Sequence, residues 1–132
     1  MDATGDETIR LTVPATSAAV RITRAGAAAL ATRAGFTYRE IEQLRLAVGE
    51  AAALLAPEAE GDGRLAVTYD MLDGGVRVDL RLTRPDAVGI PAVPDVAAAV
   101  LDNSVDEWDL RDGGRRLVIT KRAAGDDDTD DV

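Results

Sequence analysis

Residues 37–55 constrain the fold more than any other stretch of this chain. Thr37-Tyr38-Arg39-Glu40 has the capping-box spacing, in which the threonine and glutamate side chains satisfy free backbone amides reciprocally. Ile41, Leu44, Val48, Ala51 and Leu55 follow at spacings of three and four and form one apolar helix face. Leu46, Ala47 and Leu54 fall away from that face, and only Glu42, Arg45 and Gly49 mark a wet edge. A helix apolar on more than one side needs protein against two sides. The rest of the chain has to supply those surfaces.

The flanking patterns are legible in the same way. Residues 8–13 alternate apolar and polar side chains and read as a strand that Pro14 ends. Thr16 or Ser17 can cap an alanine-rich helix through Arg33, with Val20, Ile22 and Leu30 as its larger apolar residues and Gly35 as its stop. Residues 64–72 and 76–83 alternate as two strands around the turn Asp73-Gly74-Gly75. Residues 84–94 hold three prolines and a glycine and read as a loop. Asp95 is placed to cap a short helix over 96–103. Residues 107–110 and 115–121 form a last hairpin around Asp112-Gly113-Gly114, with Leu117 and Ile119 toward the core. One domain over 8–123 is expected, between a disordered N-terminal segment (1–7) and a disordered acidic tail (124–132). Runs of helices and strands that do not alternate indicate an α+β fold. It is a two-layer α/β sandwich, with helices on one face of a mainly antiparallel sheet.

Composition then excludes chemistry. The chain has 132 residues with no cysteine and no histidine. Disulfides, thiolate metal sites and Ser–His–Asp or Cys–His catalysis are therefore ruled out. Only Phe36, Tyr38, Tyr69 and Trp108 are aromatic, so the core is built from alanine, valine, leucine and isoleucine. The net charge is −9, which disfavours direct nucleic-acid binding and suits a basic protein partner, or serves solubility alone. Five of the acids are Asp126, Asp127, Asp128, Asp130 and Asp131 in the tail. No apolar run approaches the ~18 residues of a membrane span, and the acidic, polar start is unlike a secretory signal. A cytoplasmic protein is the expectation.

The stretch from Phe36 to Ala51, with Leu44-Arg45-Leu46-Ala47-Val48-Gly49-Glu50-Ala51 at its centre, resembles the long helix of the histidine-kinase-like (GHKL, Bergerat-type) ATPases. The similarity is greatest to the bacterial anti-sigma-factor and serine-kinase branch of the RsbW and SpoIIAB type. Ser104-Val105-Asp106-Glu107-Trp108 resembles that branch's step out of its last helix, and residues 115–122 its closing strand. The resemblance covers residues 8–123 and implies several expectations. Glu50 matches the glutamate that orients or activates a water or attacking hydroxyl. Leu54 stands where an asparagine normally holds magnesium against the phosphates of ATP. Asp86 stands for the aspartate that accepts a hydrogen bond from the adenine amino group, but Val88 and Ile90 replace the two glycines that follow it. Asp95 and Ala97 fall where a glycine-rich phosphate loop is usual. The resemblance therefore implies a fold kept while its ATP and magnesium site is worn away.

It also implies a partner class: a sigma factor or an anti-sigma antagonist, with a homodimer as a further expectation. The alternatives are an active ATP-dependent serine-protein kinase of the same branch and a structural interaction module of a larger complex. Individual residues keep two readings as well. Glu50 is a catalytic group or a glutamate at the helix edge, solvated or paired with an arginine. Asp86 is an adenine ligand or a turn former. Arg21, Arg24 and Arg33 are a basic face for an acidic partner segment or the wet side of a helix. Arg111, Arg115, Arg116, Lys121 and Arg122 bind a partner or the acidic tail, or form a solvated face. Trp108 anchors an interface or covers the core edge.

Overall fold

A computed structural model of the chain describes residues 7–56, 63–83 and 89–124, except the side chains of residues 17–19. The acidic tail and the start of the chain lie outside the described residues. The elements are β1 (Thr8–Pro14), α1 (Ser17–Arg33), α2 (Tyr38–Leu55), β2 (Arg64–Leu72), β3 (Gly75–Thr83), α3 (Asp95–Ser104), β4 (Glu107–Arg111) and β5 (Arg116–Arg122). A tight turn, Asp112–Gly114, with positive φ at all three residues, joins β4 to β5. The strands form one five-stranded sheet in the order β1-β2-β3-β5-β4, with every neighbouring pair antiparallel. The expected α+β architecture is present.

The strand pattern carries directly into the core. Leu65, Val67, Tyr69 and Met71 of β2 and Val76, Val78, Leu80 and Leu82 of β3 are buried, and polar residues alternate with them. Leu117 and Ile119 of β5 join the same core. Gly74 takes a φ of +75° at the β2–β3 turn, where a side chain would be strained. The outer face of the sheet is polar and laced with ion pairs. Arg116 meets Asp79 at 2.6 Å, and Arg77 lies 3.9 Å from Asp70.

Helix α2 is covered more completely than its apolar pattern alone requires. Leu44, Ala47, Val48, Ala51, Ala52 and Leu55 are buried. It packs against α1, α3, β3 and β5. Ala47, which falls off the expected face, is fully buried, whereas Leu46 is 55% exposed. Gly49 is not part of a wet edge. A Cβ there would lie 2.8 Å from Cδ of Arg24, so the arginine stem of α1 lies across the glycine. Helix α1 buries Thr23, Ala27, Leu30 and Ala31, and leaves Ile22 exposed. Small residues on both helices let the backbones approach closely.

Tyr69 ties the two layers together. Its hydroxyl donates to the Thr23 carbonyl at 2.8 Å. A Cβ on Gly26 would lie 2.7 Å from that hydroxyl oxygen, so glycine makes room for the ring. Burial pushes the Tyr69 phenol up to about 12, because the phenolate would lose water without gaining a donor.

The first and last described residues are tied into the fold. Glu7, expected in a disordered segment, is bound to the fold: its carbonyl accepts from Met71 N–H at 3.0 Å, and its carboxylate meets Arg33 at 2.9 Å. The capping box is present, with the Glu40 amide donating to the Thr37 hydroxyl at 3.1 Å and the Thr37 amide donating to Glu40 at 2.8 Å. The second Glu40 oxygen accepts from Ala124 N–H at 2.8 Å, which fixes the end of the last strand to the start of α2. Burial raises the Glu40 pKa, but the amides of Thr37 and Ala124, the Thr37 side chain and the nearby Lys121 charge outweigh it and hold the carboxyl below its ordinary range. Asp95 does not cap α3. It is the first helical residue, and Pro94 occupies the cap position without a side-chain hydrogen bond.

Three outcomes are expected. Tyr69→Phe removes the buried hydrogen bond from the Tyr69 hydroxyl to the Thr23 carbonyl and lowers stability by about 0.5–1.5 kcal/mol in urea unfolding. Gly114→Ala places a Cβ against the Ile90 backbone at a φ of +85°, which costs at least about 1 kcal/mol by the same measurement. Glu40 has a depressed folded-state pKa, so its contribution is fully present above the unfolded-state value and disappears as pH falls through the folded-state value. Glu40→Gln therefore destabilises the protein at neutral pH, and the difference from the parent shrinks toward zero in acid.

Candidate functional site

The residues that the family resemblance singles out lie on α2, on the segment after β3 and at the start of α3. Glu50 and Leu54 are one helical turn apart on α2, and both are half-buried. Glu50 is held in place by Gly49, which is pressed against Arg24, and by the buried Ala51 and Ala52 that follow. Among the described residues no side chain hydrogen-bonds or ion-pairs with Glu50. The expected alternative of a paired arginine is thus not realised there. A half-buried carboxylate with no protein partner keeps its oxygens available to water or a ligand. Leu54 contributes only an alkyl group.

Asp86 and Val88 lie outside the described residues. The segment becomes defined at Gly89, where two backbones meet face to face. A Cβ on Gly89 would collide with Gly113 and Gly114, and one on Gly114 would collide with Ile90. Ile90 N–H donates to the Gly114 carbonyl at 3.0 Å. The segment after β3 is therefore docked onto the β4–β5 turn. Val93 then packs against the core.

Helix α3 begins at Asp95, which is exposed, and Ala97 is 3% exposed. The first turn of a helix carries free amides and a partial positive charge that favour an anion. Here that end already has a carboxylate of its own. No lysine or arginine occurs between Pro85 and Glu107 to offset it. Among the described residues no group of three or more acidic side chains is arranged to hold a metal ion.

The other singled-out residues are distributed rather than gathered. Trp108 is partly buried against the core and donates its indole N–H to Asp102 at 2.7 Å, tying β4 to α3. The five basic residues of the last hairpin do not form one patch. Arg111 pairs with Asp109 at 2.7 Å, and Arg116 pairs with Asp79 on the outer sheet face. Lys121 is buried on the helix side, where Nζ donates to Gln43 at 3.0 Å and to the Ser104 carbonyl at 2.8 Å. It joins β5 to α2 and to the end of α3. The alternation Leu117, Ile119, Lys121 in β5 could have revealed this, since all three side chains share one face.

The α1 arginines also diverge. Arg33 is engaged by Glu7, Arg24 crosses Gly49 with its Nε buried and without a hydrogen-bond partner, and Arg21 is exposed. Among the described residues no helix is long and apolar enough to cross a membrane.

No protein-family model matches the chain. Individual proteins do. It is 29% identical over 115 residues to the serine-protein kinase RsbW of Halalkalibacterium halodurans, covering 86% of this chain and 69% of that protein. It is 36% identical over 99 residues to the serine-protein kinase RsbW of Listeria monocytogenes, covering 66% of this chain and 62% of that one. The chain thus spans between six and seven tenths of the length of these relatives. A crystal structure of the RsbU and RsbW domains of a Mycobacterium tuberculosis protein matches 88% of the chain, and 32% of its own length, with a TM-score of 0.66. At 21% identity this likeness concerns the fold. In sequence the chain is thus similar to RsbW serine-protein kinases, and in fold to a structure that contains an RsbW domain.

Proposed function

We propose that the chain is an anti-sigma-factor-like regulator that binds a sigma factor or an anti-sigma antagonist and has lost most or all of its capacity for ATP. The partner class comes from the RsbW likeness. The loss of nucleotide rests above all on Leu54. It lies one turn from Glu50, where magnesium would need an oxygen ligand, and an alkyl group supplies none to a hard cation. Asp95 adds to this, since a carboxylate in the first turn of α3 repels a triphosphate. These residues do not fit a magnesium–ATP group. The fold does not need such a group, because α2 and the sheet are joined by their own apolar contacts and by Lys121.

The relatives' naming as serine-protein kinases favours a second reading, an active serine-protein kinase with an altered pocket. Equilibrium titration with labelled ATP and magnesium separates the two. No saturation is expected at micromolar nucleotide. Micromolar binding that weakens in Glu50→Ala or Asp86→Ala would overturn the loss of the site. The regulatory reading has its own test, co-purification from the native host. It fails if neither a sigma factor nor an antagonist is enriched.

A further inference from the structure

Three arginines stand side by side on the outer face of the sheet. Arg81 of β3 is opposite Arg116 of β5, and Arg116 is opposite Arg111 of β4. Like charges facing each other across strands work against folding. Asp79 takes up Arg116 through hydrogen bonds of 2.6, 3.0 and 3.1 Å, and Asp109 takes up Arg111 at 2.7 Å. Arg81 has no such partner. It makes no side-chain hydrogen bond among the described residues. Its ion-pair contact with Asp112 is long, at 3.7 Å, and Asp112 is shared with Arg116 at the same distance.

Arg81 and Arg115 line one cleft of about 350 Å³, together with Leu82, Thr83 and Asp112. Arg115 is exposed and uses only Nε, which donates to the Asp112 carbonyl at 3.3 Å. Its two terminal nitrogens have no partner among the described residues. The Thr83 hydroxyl makes only a 3.4 Å contact with the Arg64 carbonyl. The backbone around these groups is fixed. Arg115 N–H donates to the Asp112 carbonyl at 3.3 Å, and the Arg115 carbonyl accepts from Leu82 N–H at 2.9 Å. Unspent donors therefore project from a rigid turn into a concave site. Arg64, opposite Thr83 at the start of β2, is exposed nearby and has no ion pair among the described residues.

We propose that this cleft binds a small phosphate-bearing anion. Arg81 and Arg115 present planar forks of N–H donors, and Thr83 adds a hydroxyl. A terminal phosphate has three oxygens and can take both forks and the hydroxyl together. A carboxylate has two oxygens and fills one fork. Leu82 is the one apolar residue of the lining, which gives a protein partner no anchor and suits a small polar ligand. Asp112 holds the arginines in place and at the same time opposes the charge of the ligand, which keeps binding weak. Arg81 and Thr83 alternate with the core residues of β3, so they face away from α2 and from Glu50. The site is therefore separate from the residues matched to a nucleotide pocket, and the proposal goes beyond the regulatory reading above.

The test titrates the full chain with inorganic pyrophosphate at low salt, read by amide chemical shifts. Saturation is expected at about 0.1–1 mM, with shifts at residues 81–83 and 112–115 and weakening as salt rises. Arg81→Gln and Arg115→Gln each lower affinity about tenfold, with circular dichroism unchanged. Asp112→Asn keeps a side chain that tolerates the positive φ and removes the opposing charge, so it tightens binding about threefold or more. A purely structural role for Asp112 would not produce that gain. The proposal is overturned by an absence of saturable binding, by unchanged affinity in both arginine variants, by equal binding of succinate, or by shifts gathered around Glu50 and Ala97 instead. At micromolar nucleotide this cleft stays unfilled, so the ATP titration and this one fail separately.

Discussion

Burial of α2 is the constraint on which the rest of the structure depends. Its alanines and leucines meet α1, α3 and two strands, and each neighbour is shaped by that contact. Helix α1 buries small residues, Ala27 and Ala31, beside Leu30. Gly49 lets the Arg24 stem cross, and Gly26 lets the Tyr69 hydroxyl reach Thr23. The gain of a close-packed small-residue interface comes from dispersion and exclusion of water, and it exists only while the backbones stay close. Substitution at these glycines therefore acts on several elements together.

Polar groups fix where the apolar layers stop. Glu40 closes the first turn of α2 and also receives the amide of Ala124, so one carboxylate orders a helix start and a strand end. Lys121 performs a similar task inside the molecule, since a buried ammonium needs oxygen partners and finds them on Gln43 and Ser104. Gly89 and Gly114 allow the segment before α3 to rest on the last hairpin turn. These ties set the position of α3 against the sheet and α2.

Charge is arranged unevenly over this scaffold. The outer sheet face neutralises itself through pairs such as Arg116 with Asp79, so its arginines are not available as one basic patch. The β1–α1 edge has few such partners and keeps exposed isoleucines beside its arginines. Net charge describes the average of these surfaces, and binding responds to each one locally.

Much of the architecture was legible in the sequence. Alternation defined β2 and β3, the threonine–glutamate spacing defined the start of α2, and glycines marked the turns, because these features depend on neighbours a few residues apart. The family likeness was legible in the α2 stretch for the same reason. Three readings needed the folded chain. Gly49 looked like a wet edge but lies beneath Arg24, Lys121 looked solvated but is buried, and Asp95 looked like a cap but is the first residue of its helix. Each depends on a partner far away in sequence or on the exact path of the backbone entering a helix. The sequence by itself determined which elements form and where the turns between them fall. Only the tertiary structure decided which charges are spent on internal pairs and which apolar side chains remain on the surface, because side-chain pairing depends on distances that local pattern does not specify.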